Sequence, residues 1–171
     1  MSDGTRDTAP PTAPPTAPPT PPQATGATAA RLRNLRTRLL SLAAIRSDRL
    51  VNEELTREGA RKWHYAVLAT LEEFGPASQA ELSGRTGIYR SDMVAVVNEL
   101  AESGLLERSP NPADRRQNII ALTEPGRRRL LKLDSLLTEV EDQVLAPLTE
   151  PERAELARLL TAVVDHHGRH M

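Results

Sequence analysis

Apolar residues in this chain first follow a helical period. Leu32, Leu35, Leu39 and Leu42 recur at steps of three and four, with arginines on the other faces. That spacing predicts a helix over about residues 31–57, ending near Gly59. Trp63, Val67, Leu71 and Phe74 predict a second helix, closed by Gly75-Pro76. Ser78-Gln79-Ala80-Glu81 has the S-x-x-E form of a capping box and opens a short helix to about Arg85. Thr86-Gly87-Ile88 then turns the chain, and Met93, Val96, Val97 and Leu100 mark a third pattern reaching Ser103-Gly104. Helix, glycine-containing turn and helix outline a helix-turn-helix.

The period then shortens to two. Leu105 to Arg108 and Asn118 to Leu122 read as short strands, the second β-branched at its centre. Ser109 to Arg116, with two prolines and an Asn, has loop chemistry, so the segment describes a wing. Thr123 caps a long helix whose Leu130, Leu133, Leu137, Val140 and Val144 form a coiled-coil-like seam, broken by Pro147. Thr149-Glu150-Pro151-Glu152 is a second capping box, and Leu156, Leu159, Leu160 and Val163 stripe the last helix. The expected fold is mainly α with a small β-wing: a winged helix-turn-helix flanked by N- and C-terminal dimerisation helices. The flanking stripes are longer than the chain itself can cover, which points to a dimer.

Composition adds a separate N-terminal region. Eight of the 14 prolines lie in residues 1–30, where Thr-Ala-Pro-Pro repeats favour extended polyproline II over a packed core. The expected division is a disordered tail at 1–30, an N-terminal dimerisation helix at 31–60, a DNA-binding domain at 61–126 and a C-terminal dimerisation region at 127–171. With no cysteine, disulfide scaffolds, thiolate metal sites and a thiol redox switch are excluded. No apolar run is long enough for a membrane helix, and the polar N-terminus has no secretory signal, so a cytoplasmic, membrane-free protein is expected.

The formal net charge is −1, but it is unevenly distributed. Residues 31–62 carry nine Lys/Arg against four Asp/Glu, and residues 130–171 carry four against eight. Such a chain can still present a basic face to a polyanion. Only Lys62 and Lys132 of its 22 basic residues are lysine; arginine suits bidentate contacts to phosphates and bases, although high-GC codon usage would give the same bias.

Several segments together resemble the multiple antibiotic resistance regulator (MarR) family of winged helix-turn-helix transcription factors. They are Trp63-x3-Val67-Leu68-x2-Leu71, Leu82 and Gly87 at the turn, and Val97-x2-Leu100-x3-Gly104-Leu105-Leu106-x-Arg108. The wing adds Pro112-x-Asp114-Arg115-Arg116, and Leu122-Thr123-x2-Gly126 closes the unit. The resemblance spans roughly residues 31–167 and is strongest over 63–126. It implies a homodimer on a pseudo-palindromic operator of double-stranded DNA, usually a repressor. It also implies release by a small phenolic or otherwise lipophilic anion bound between the DNA-binding and dimerisation parts.

The start of a recognition helix enters the major groove, so Arg90, Ser91, Asp92 and Ala95 are the candidate base readers. Arg90 suits guanine or a phosphate; Asp92 suits cytosine N4, or with Ser91 simply caps the helix; Ala95 meets only a thymine methyl. Asp92 and Ala95 depart from the family pattern, which commonly has threonine at the first and a polar or basic residue at the second. In the wing, Asp114 is expected to hold Arg116, leaving Arg115 or Arg116 for the minor groove. Ser78, Gln79 and Arg85 are candidate phosphate anchors. Trp63, His64, Tyr65 and Tyr89 supply the aromatic and ionisable groups near the implied effector pocket, with core packing the plainer role for Trp63 and the dimer junction for His64. Arg127-Arg128-Arg129 reads as a solvated face, and the histidines His166, His167 and His170 lie too near a terminus to preorganise a metal site.

No nucleophile–base pair, phosphate loop or carboxylate cluster supports an enzyme, and no catalytic residue, metal site or cofactor is expected. Two rivals remain: a winged-helix DNA-binding protein that senses no ligand, activating or architectural, and a winged-helix protein-docking module.

Overall fold

The computed structural model describes residues 29–111 and 118–168. Its two units meet in sequence at Leu39–Leu40. In the N-terminal unit, α1 (Ala30–Arg33) ends at Asn34; α2 (Arg36–Arg57) begins two residues later and lies mostly in the second unit. The single helix expected over 31–57 is therefore two. Asn34 is the C-cap of the first, its backbone N–H donating to the Ala30 and Leu32 carbonyls. The leucine spacing runs across this break, so periodicity alone does not reveal it.

In the second unit, α3 (Lys62–Phe74) buries Val67, Leu68 and Leu71, but both ends of its apolar stripe are in solvent. Trp63 is 44% exposed and Phe74 57%, so neither takes the core role the stripe suggests. After α3, Gly75 adopts a positive φ of 76°, and a two-residue strand β1 (Ala77–Ser78) leads into α4 (Gln79–Thr86). Gly87, left-handed at φ 71°, ends α4 and starts the turn to α5 (Arg90–Glu102). Met93, Val96, Val97 and Leu100 face the core as their spacing predicts.

Strands β2 (Leu106–Pro110) and β3 (Asn118–Leu122) pair antiparallel, from Leu106 opposite Leu122 to Pro110 opposite Asn118. β2 thus runs through Ser109 and Pro110, which sequence composition assigned to loop. Sheet order is β1-β3-β2, and proline is tolerated at the end of an edge strand such as β2. β1 adds a third strand through Ala77 opposite Ile120 and Ser78 opposite Ile119.

Helix α6 (Glu124–Val144) is tied to this sheet at its first turn. The Thr123 hydroxyl accepts from the Gly126 amide at 3.1 Å and donates to the Gly104 carbonyl at 2.8 Å. The backbones are so close that a Cβ on Gly126 would lie 2.2 Å from the Leu105 carbonyl oxygen. This contact is a physical reason for glycine in the Leu-Thr-x-x-Gly segment. Leu130, Leu133 and Val140 of the seam are buried, and Leu137 and Val144 half-buried. In the last helix, α7 (Glu150–Gly168), none of the described side chains is buried, and Leu159, Leu160, Val163 and Val164 are exposed. Among the described residues no helix is long and apolar enough to cross a membrane.

Candidate nucleic-acid interface

The start of α4 is fixed by a complete capping box. Glu81 N–H donates to the Ser78 hydroxyl at 3.3 Å, while the Ser78 amide and hydroxyl each donate to the Glu81 carboxylate at 2.8 Å. Those donations hold the Glu81 carboxyl below its usual range. They also occupy the Ser78 hydroxyl, so at Ser78 the structure shows a helix cap and a sheet residue. Beyond Gly87, the Ser83 hydroxyl donates to the Ile88 carbonyl at 2.6 Å, and the buried Ile88 side chain anchors the turn before α5.

This bracing sets α5 beside the sheet and opens a concave surface of about 560 Å3 between them. Ser78, Gln79 and Ala80 line one wall, Arg90 and Val94 another, and Arg108, Asn118 and Ile120 the sheet side. Of the expected DNA contacts, the structure brings Ser78, Gln79 and Arg90 together here. Ser91 and Ala95 are exposed on α5, and Asp92 is half-buried in its first turn. Arg85 lies in the last turn of α4, its guanidinium 4.8 Å from the centroid of the Phe74 ring. Asp114, Arg115 and Arg116 lie outside the described residues. Sequence reasoning missed Val94, Arg108 and Asn118 as lining residues. The available signals were an apolar residue off the core register of α5 and an arginine in the wing strand. The Arg108 guanidinium donates to the Asn98 side-chain Oδ1, joining the sheet to α5.

The four expected effector residues do not converge. Tyr89 is the N-cap of α5 and 78% exposed, and Trp63 lies out on α3. Tyr65 is half-buried and donates its hydroxyl to Asp134 at 2.9 Å; burial, then that carboxylate, raises its pKa. His64 borders a small cavity of about 60 Å3 together with Leu68, Glu99, Leu100, Arg129 and Leu133. Burial, then the Arg61 and Arg129 guanidiniums, lower the His64 pKa, so its ring is neutral near pH 7. In that form Nε2–H donates to Glu99 at 2.9 Å, and Arg61 completes the cluster by pairing with the same carboxylate. The arginine run is also more engaged than a solvated face. Arg127 pairs with Glu72 at 3.0 Å, and half-buried Arg129 pairs with Glu58 at 3.2 Å. His166 and His167 pack edge to face at 5.0 Å within α7, so the helix reaches further than a frayed end; His170 is outside the described residues.

A family model described as the MarR family matches residues 55–117. The HTH-type transcriptional regulator BilQ of Clostridium symbiosum is 34% identical over 107 residues, 63% of this chain and 74% of that protein. The chain belongs to the MarR family. Two solved MarR-type structures carry the same fold. One is a mutant MarR from E. coli complexed with operator DNA, 26% identical with a TM-score of 0.66 over 75% of this chain and 92% of that one. The other is the PcaV regulator of Streptomyces coelicolor in complex with its natural ligand, 28% identical with a TM-score of 0.67 over 81% and 98%. Two further curated transcriptional regulators, 32% and 31% identical, are spanned over only 63% and 64% of their own length. These curated relatives are regulators, not enzymes.

Proposed function

We propose that the chain is a sequence-specific DNA-binding transcriptional regulator, a homodimeric repressor on a pseudo-palindromic operator. The observation that carries the reading is the concave surface where Arg90 of α5 and Arg108 of β2 flank a groove behind the capped start of α4. The recognition helix of a helix-turn-helix reads base edges while flanking elements hold phosphates. The likeness to a MarR mutant complexed with operator DNA supports the same use of this face. The uncovered apolar stripe of α7 supports the dimer, because contiguous exposed apolar surface of this kind marks an interface. In the wing, Arg115 or Arg116, both outside the described residues, is proposed to take the minor groove. Binding of the purified protein to its own upstream intergenic fragment, over a salt series with random DNA as competitor, tests the reading. Competitor-resistant binding with a log–log salt slope near about −7 is expected if a dimer neutralises about eight phosphates. Binding no tighter than to random DNA overturns it.

Release by a phenolic or lipophilic anion completes the proposal. The anion would compete with Glu99 for Arg61, and Glu99 belongs to the recognition helix, so the competition couples ligand to DNA. The ligand-bound PcaV structure supports a site within this fold. A second reading, DNA binding without a sensor, is favoured by the cavity beside His64. At about 60 Å3 it has room for one or two waters, whereas drug-sized ligands occupy roughly 300–1,000 Å3. A panel of phenolic carboxylates in a melting assay separates the two. A sensor melts higher by an amount that rises with ligand concentration, and a non-sensor does not.

A further inference from the structure

Helix α5 carries an apolar residue where its fold does not need one. Residues four apart on a helix share a face, so Arg90, Val94 and Asn98 form one outward row, and Ser91 and Ala95 the next. The core takes Met93, Val96, Val97 and Leu100. Val94 is 45% exposed and lies in the groove between Arg90 and Arg108. A β-branched side chain in solvent at mid-helix gains neither packing nor propensity. Asn98, the polar member of the row, already accepts from Arg108. Hydrogen-bonding readout is thus left to Arg90 at the start of the row, and its middle is a methine with two methyls.

In the major groove the C5-methyl of thymine is the apolar group that base-pair edges present. We propose that Val94, with Ala95 beside it, reads thymine methyl groups and is a specificity-determining residue of this chain. The inference rests on the DNA-binding reading above and adds the chemistry of what is read. The groove's arginines favour a polyanion over a protein partner, because Val94 with Ala80 and the buried Ile120 makes too small an apolar patch for protein docking.

The test uses the full chain and a random-sequence duplex library. The duplex most enriched by binding is remade with each thymine replaced singly by uracil, which removes only the methyl. One or two replacements should weaken binding about fourfold, as expected for one buried methyl, and the rest should change it little. With Val94→Ala, the thymine-to-uracil ratio at those positions should fall towards one and stay unchanged elsewhere. The scan itself uses unaltered protein, so it does not depend on the variant's folding. Uracil duplexes that all bind within about 1.5-fold of the parent overturn the inference, and so does an unchanged ratio in Val94→Ala. Failure of any duplex to enrich over random DNA overturns the DNA-binding reading itself, which separates the two failures.

Discussion

Helices α6 and α7 are adjacent in sequence, and both carry leucine–valine stripes, yet they end in opposite environments. α6 buries Leu130 and Leu133 in the core of the winged unit, while Leu159, Leu160, Val163 and Val164 of α7 remain in solvent. Local hydrogen bonds at a threonine fix the start of each helix. Thr123 accepts from Gly126, and the Thr149 amide and hydroxyl donate to Glu152 at 2.8 Å. Capping and periodicity therefore make a helix without deciding what covers it. The winged unit closes its own core, and the apolar stripe of α7 is left exposed, which is where the proposed dimer would form.

That contrast can be broken most directly by paired substitutions. Leu133 is fully buried in α6, and Leu133→Ala should cost about 2–5 kcal/mol in urea unfolding. Leu159→Asp combined with Val163→Asp should instead leave the winged unit folded and convert the proposed dimer to monomer in sedimentation. If the α7 pair unfolds the protein as Leu133→Ala does, the two helices do not differ as described. Next in size is Gly126→Ala. Its Cβ collides with the Leu105 carbonyl, so a loss of about 1–3 kcal/mol is expected in thermal melting. An unchanged melting temperature would mean that α6 is not held tightly to the sheet.

The smallest effect concerns the polar cluster between α3 and α5. His64 has a lowered pKa in the folded state, so below about pH 6.5 the unfolded chain takes up the proton first. Stability should therefore be full above that pH and decline as pH falls towards the folded-state value. Neighbouring Arg61 and Arg129 oppose the charge, and Glu99 receives the ring N–H. His64→Gln should flatten the decline in melting temperature between pH 7.5 and 5.5. A decline as steep as in the unsubstituted protein would remove His64 as its source.

Much of the winged unit was legible because its signals are local. The Ser78–Glu81 box, the Gly87 turn and the α5 core register each lie within a few residues. Two residues carry no period, so β1 could not be read. The break at Asn34 was hidden by leucines that keep step across it, and Pro110 resembled loop because edge position is not visible in sequence. The functional surroundings were less legible because they depend on distant pairs. Tyr65 meets Asp134 from 69 residues away and His64 meets Glu99 from 35, so residues grouped for an effector by chemistry were already engaged within the fold. Tyr89 and Trp63 were grouped with them by chemistry and by the position the resemblance implies, and both side chains are exposed.

The central claim is that the groove between α5 and the sheet reads DNA sequence. It is tested most directly by the specificity ratio, the affinity for an enriched duplex over that for random duplex at fixed salt, in the unsubstituted protein and in Arg90→Ala. A base-reading Arg90 predicts that the ratio falls by about tenfold or more while random-duplex binding weakens only slightly. Equal loss on both duplexes would reduce Arg90 to a phosphate contact and contradict the claim that this groove reads sequence through it.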